Sequence, residues 1–108
     1  MTNFKVYRSE PFDEQIEKMP KDFKVWVDKV ETQLAENPHV GKPLGFRWFR
    51  EKKYGKFRIY YLIYAEFGCV YMIALSDKKE QQKTINTIKL FLNDYRNTIE
   101  KITKKGTI

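Results

Sequence analysis

The chemistry of this chain is concentrated in Arg50-Glu51-Lys52-Lys53-Tyr54-Gly55-Lys56-Phe57-Arg58-Ile59-Tyr60-Tyr61, where cations, one acid and aromatic rings interleave. Tyr54-Gly55 predicts a two-residue hairpin turn, with glycine free to take positive φ. That register sets Lys53 opposite Lys56, Glu51 opposite Arg58 and Phe49 opposite Tyr60. One face then carries Arg47, Phe49, Glu51, Lys53, Lys56, Arg58 and Tyr60. The other carries Trp48, Phe57, Ile59, Tyr61 and Ile63, with Arg50 and Lys52 towards its end. The second is the core face and the first a cationic surface with an aromatic floor. Such a surface suits single-stranded RNA: Arg and Lys, with Arg47 and Lys56 among them, meet the backbone, while Phe49 and Tyr60 stack on bases at ~1–3 kcal/mol each. A fixed Arg beside a scissile phosphate also neutralises charge that develops in a pentavalent transition state. The alternative is a solvated strand face with one Glu51–Arg58 ion pair, worth under ~1 kcal/mol if exposed.

The rest of the chain limits what this face can serve. With 108 residues, positions 1–108 make one domain with a modest core. The formal charge of +7 draws polyanions, so nucleic acid or an acidic protein is favoured over an acidic small substrate. Cys69 is the only cysteine, in the apolar run Cys69-Val70-Tyr71-Met72-Ile73-Ala74-Leu75; it reads as a buried thiol in a reducing compartment. Met1-Thr2-Asn3-Phe4-Lys5-Val6 has no signal-peptide pattern, and no apolar run reaches the ~20 residues of a membrane span. The expected location is the cytoplasm, away from any membrane. His39 is the single histidine and falls in a loop.

The elements that position the hairpin follow from periodicity. Phe4-Lys5-Val6-Tyr7-Arg8 alternates as a strand. Ser9 then caps a helix with Pro11 in its first turn and Phe12, Ile16 and Met19 on its apolar side. After Pro20 a second helix carries Phe23, Trp26, Val27, Val30 and Leu34, and Asn37-Pro38 ends it. His39 to Gly45 reads as a loop. Phe46–Lys53, Lys56–Ala65 and Cys69–Ser76 read as an antiparallel meander of three strands. From about 82 to 105 the apolar positions Ile85, Ile88, Leu92, Tyr95, Ile99 and Ile102 hold an a/d rhythm. The first half of that helix is expected on the sheet, and its last turns are expected to project and associate with a partner. The class is α+β, with the helices on one side of the sheet.

This order of elements, and the hairpin within it, resembles the RelE/ParE superfamily of type II toxins. The resemblance rests on the basic residue, glycine turn, aromatic-Arg pair and apolar tyrosine-ended strand from Arg50 to Tyr61. Glu36-Asn37-Pro38 followed by Gly41-Lys42-Pro43-Leu44 adds a helix end and loop like the family's. It covers roughly Phe12 to Leu92 and implies a RelE-like fold: an N-terminal strand and helical hairpin, a strand meander and a C-terminal helix. It also implies an antitoxin partner and, in the RelE branch, cleavage of mRNA on the ribosome with no metal or other cofactor. By position, Arg58 resembles the arginine that contacts the scissile phosphate, and Lys53 a basic position on the preceding strand. Lys78-Lys79 resembles the basic pair after the fourth strand, with Lys79 completing the clamp and Lys78 binding RNA.

The chain departs from the family in its proton-transfer groups. The C-terminal tyrosine position falls on Ile85, and Ser76-Asp77 stands where relatives carry a histidine. Glu51, Asp77 and Tyr60 remain as general-base candidates, Glu51 first among them, and a missing acid or base typically costs ~10²–10⁴-fold. Three functions follow as expectations: a ribosome-dependent endoribonuclease toxin, a ParE-like DNA gyrase inhibitor that needs no catalytic residues, and a degenerate RNA- or partner-binding member.

Overall fold

The computed structural model describes residues 3–105, with side chains to Lys104. In chain order the described residues form β1 (Lys5–Arg8), α1 (Glu10–Glu17), α2 (Lys21–Glu36), β2 (Lys42–Phe46), β3 (Phe49–Tyr54), β4 (Phe57–Tyr64), β5 (Cys69–Asp77), α3 (Gln81–Leu90) and α4 (Leu92–Lys105). They build an α+β fold around a five-stranded sheet of order β1-β5-β4-β3-β2. β1 runs parallel to β5, and β2 to β5 are antiparallel neighbours.

The N-terminal half follows local sequence signals. Ser9 Oγ accepts from the Phe12 N–H at 3.2 Å, capping α1 with proline in its first turn. Pro20 stands at the N-cap of α2, and Asn37, extended before Pro38, ends that helix. Phe12 and Ile16 of α1, with Phe23, Val27, Val30 and Leu34 of α2, pack on Ile59, Tyr61, Ile63, Val70 and Met72 of the sheet. Each such apolar side chain taken from water contributes about 1.5–3 kcal/mol before entropy is counted.

The far side of the sheet is also covered, which corrects the expectation of helices on one side only. Ile85 and Ile88 of α3 and Ile99 of α4 are buried with Phe49, Tyr60, Leu62, Tyr64, Cys69, Tyr71 and Ile73. The C-terminal helix is two segments, because Phe91 leaves helical angles (φ −109°, ψ 18°) between α3 and α4. The stripe expected to reach a partner is therefore spent at home. Ile85, Ile88 and Ile99 are buried, Leu92 and Tyr95 pack on the same core, and Ile102 is partly exposed at its end. No helix among the described residues is long and apolar enough to cross a membrane.

Two further expectations shift. The Lys42–Phe46 segment is an edge strand rather than a loop, and the chain turns at Arg47-Trp48 before β3 begins. Pro43 is tolerated there because an edge strand need not donate every N–H, and the register breaks between Pro43 and Phe46. The hairpin turn is Gly55-Lys56, not Tyr54-Gly55, with φ of +59° at Gly55. Pairing slips by two residues, so Lys53 stands opposite Arg58, Glu51 opposite Tyr60 and Phe49 opposite Leu62. A slip of two preserves which side chains share a face, since the strand period is two.

Candidate active site

The open end of the β3–β4–β5 meander gathers the polar chemistry. Lys53 on β3 pairs with Arg58 on β4, and Arg58 pairs in turn with Ser76 on β5. Beyond this row, Lys56 of the hairpin turn and Asp77, Lys78 and Lys79 at the end of β5 line a cleft of about 530 Å³. Lys53, Lys56, Lys78 and Lys79 are exposed and Asp77 is half-buried. Asp77 Oδ1 also accepts from the Glu80 N–H at 3.0 Å, which holds the turn into α3.

Arg58, unlike these exposed cations, is buried. Its residue is 6% exposed; Nη1 donates to the Lys56 carbonyl at 3.1 Å, while Nε is buried with no hydrogen-bond partner among the described residues. A buried donor without an acceptor costs about 1–3 kcal/mol, so this guanidinium is held at a cost to the folded protein. The expected Glu51–Arg58 ion pair is absent among the described residues. Instead Glu51, 1% exposed, takes Gln81 Nε2 on both carboxylate oxygens at 3.0 and 3.3 Å.

The aromatic floor is closed. Phe49 and Tyr60 are fully buried under α3 and α4, so neither ring can stack on a base, contrary to expectation. A 2.8 Å hydrogen bond joins Tyr60 Oη to Ser76 Oγ. Burial is the main reason the Tyr60 phenol titrates above its ordinary value; the Ser76 bond and Arg58 oppose the rise, and Glu51 and Asp77 add to it. Tyr60 is thus a poor base. Arg47 sits in the β2–β3 turn at the opposite end of β3 from Lys53, which removes it from the site. Trp48, expected in the core, is partly exposed and stacks on Phe46 at 4.5 Å. Of the residues named from sequence, Lys56, Lys78 and Lys79 line one cleft with Asp77, and Lys53 and Arg58 form a cross-strand pair at the same end of the sheet.

Ser76 and Gln81 belong to the site's support and carry no sequence signal of their own. Gln81 falls just before the period read from the sequence, with nothing to say that its amide reaches a strand residue far back in the chain. Among the described residues no group of His, Cys, Asp and Glu side chains could hold a metal ion.

Among solved structures, the chain is similar to a double arginine-to-alanine mutant of the E. coli toxin RelE in the free state. The TM-score is 0.68 at 17% identity, over 82% of this chain and 97% of that one. The fold is that of RelE. The RelBE2 toxin-antitoxin complex from Mycobacterium tuberculosis shares it with a TM-score of 0.61 at 22% identity, covering 69% of this chain and 98% of that one. The intact E. coli RelBE toxin-antitoxin complex does so with a TM-score of 0.62 at 17% identity, over 68% and 95%. No protein-family model and no curated protein matches the sequence. The fold is thus shared with these structures at 17–22% sequence identity.

Proposed function

We propose that this protein is the toxin of a type II toxin–antitoxin pair and acts as a metal-independent, ribosome-dependent mRNA endoribonuclease. The observation that carries this reading is the gathering of cations at one end of the sheet, where Lys53 pairs across to Arg58 and Lys56, Lys78 and Lys79 line the neighbouring cleft. Solved structures with this fold include toxin-antitoxin complexes, which supports a cognate antitoxin as partner.

In this reading the RNA backbone enters along Lys56, Lys78 and Lys79, and the scissile phosphate sits over Lys53 and Arg58. The 2′-hydroxyl attacks phosphorus, its proton passes to a base, and the 5′-oxygen leaves with a proton. Arg58 and Lys53 stabilise the two negative charges that gather on the equatorial oxygens, a fixed arrangement that needs no reorganisation. Asp77 is the accessible carboxylate at the cleft and takes the base role that Glu51, buried behind Gln81, cannot fill without opening. Lys79, which lines the same cleft, completes the clamp on the phosphate.

Induced expression tests it. Wild type should arrest growth and leave transcripts cut inside translated frames, while Arg58→Ala and Asp77→Asn should grow and leave them whole. Arrest with intact transcripts overturns the nuclease reading. A second reading, inhibition of DNA gyrase by binding alone, draws on the burial of Glu51 and Tyr60, two of the three base candidates. Loss of supercoiling activity on adding purified protein would support that reading.

A further inference from the structure

A second groove lies on the α2 side of the hairpin, outside the cleft. Trp26 and Tyr54 pack against one another there, tilted, with ring centroids 4.9 Å apart at 31°. Phe23 backs both, at 5.4 Å from Trp26 and 5.6 Å from Tyr54, and Phe57 continues the cluster at 5.6 Å from Phe23. Trp26 and Tyr54 are half-buried and line a groove of about 590 Å³ that Lys21, Asp22, Val25 and Lys29 complete. Val25 is exposed on the rim. Asp22 accepts from the Tyr54 hydroxyl at 3.2 Å, so its carboxylate fixes that ring in place.

We infer that this groove is a subsite for single-stranded RNA, in which a base stacks on the Trp26–Tyr54 platform while Lys21 and Lys29 hold the flanking phosphates. Two cations against one hydrogen-bonded carboxylate give the rim the sign a polyanion needs, on a chain of net charge +7. Continuity selects the strand. Tyr54 lines this groove and Lys56 lines the cleft, and the two are separated only by Gly55 in one tight turn. Lys56 Nζ also lies 5.3 Å from the Phe57 ring that ends the aromatic cluster. A strand leaving the cleft at Lys56 therefore passes the hairpin tip and meets a ring platform. Only an unpaired strand presents base faces to such a platform, and stacking of this kind tolerates any base. The assignment to the same RNA rests on the proposed function; the groove's ability to bind a base does not.

Trp26 is itself the reporter, because the chain has two tryptophans and Trp48 lies in the β2–β3 turn. In a Trp48→Phe background, titration with a short single-stranded oligoadenylate should quench Trp26 emission saturably. The same sequence as a duplex should not. Lys21→Glu with Lys29→Glu should weaken binding about tenfold or more and lower the slope of log K against log salt by about 1.4, two single-strand phosphate contacts at about 0.7 each. Saturable RNA binding with unchanged Trp26 emission overturns the inference, as does quenching by an acidic peptide but not by RNA. Uncut transcripts on expression with Trp26 quenching intact would refute the nuclease and spare the groove. Cut transcripts without quenching would do the reverse.

Discussion

Lys53 and Arg58 stand directly opposite one another across β3 and β4, a pair of like charges at a position where a sheet gains most from opposite ones. Neither makes an ion pair among the described residues, and the nearest acid by register, Glu51, is engaged by Gln81. The arrangement weakens the free protein and suits a bound anion, as expected where binding sites store cost.

Replacing Arg58 should therefore separate stability from function. Arg58→Met removes a buried cation with a partnerless Nε and keeps most of the side-chain volume. We expect unfolding free energy to rise by about 1 kcal/mol, a few degrees in Tm, while growth arrest is lost. Thermal melts with and without a single-stranded RNA check the cause. The RNA should raise the Tm of wild type more than that of the variant. A less stable Arg58→Met protein would contradict this account of the cost.

The Glu51–Gln81 bond gives a second separation. Gln81→Ala leaves a buried carboxylate without its donor and should cost about 1.5–3 kcal/mol in a denaturant melt. Glu51→Gln preserves an amide partner for Gln81 and removes the buried charge, so it should be at least as stable as wild type. It should also still arrest growth, because Glu51 supports the site from behind. A folded Glu51→Gln protein that cleaves nothing would return Glu51 to the role of base.

High pH should unfold the protein through its buried acids. Burial pushes the Cys69 thiol up to about 11 from an ordinary 9.0, with Glu66 adding to the rise. Burial also raises the phenols of Tyr60, Tyr61, Tyr64, Tyr71 and Tyr95. Groups raised in the folded state add stability that is complete below their unfolded values and is lost as pH climbs through the folded ones. Stability should hold up to about pH 9 and fall steeply towards about 11. The tyrosinate absorbance of these five phenols should then appear together with loss of secondary structure, not ahead of it. In the native protein near neutral pH, Cys69 should resist alkylation until denaturant is added.

What could be read from the sequence divides along physical lines. Local signals were sufficient where they act locally: Ser9 and Pro11 start α1, Pro20 and Asn37 bound α2, and alternation marks β3 to β5. β2 escaped because Pro43 and Gly45 read as loop, and only pairing with β3 makes that stretch a strand. The hairpin shows the opposite case. Moving the turn by one residue changed every partner, yet the face shared by Lys53 and Arg58 survived because a two-residue slip preserves parity. The a/d rhythm of the C-terminal segment says that it must bury a stripe and is silent on where. That silence made Phe49 and Tyr60 look available when α3 and α4 lie over them.

Behind the site, Gly41 is held by space rather than by backbone angle. Its φ is −80°, open to any residue, but a Cβ there would lie 2.6 Å from the Glu51 carbonyl oxygen and 2.6 Å from Tyr61 Oη. That hydroxyl donates to the Pro38 carbonyl at 2.7 Å and accepts from the Gly41 N–H at 2.9 Å. Arg50 Nη1 closes the same loop through the carbonyls of His39 and Gly41, at 2.9 and 2.7 Å. Gly41→Ala must push the loop off the sheet and should cost about 1–3 kcal/mol by overpacking, with the Tyr61 bonds lost besides. Tyr61→Phe keeps the packing and loses only the bonds, so it should cost less than Gly41→Ala. Because one of the two contacts is the Glu51 carbonyl on β3, Gly41→Ala should also lower cleavage beyond what its stability loss explains, whereas Tyr61→Phe should not. Denaturant midpoints set beside growth arrest for the two variants decide whether the loop merely covers the strand or also sets where β3 places Lys53.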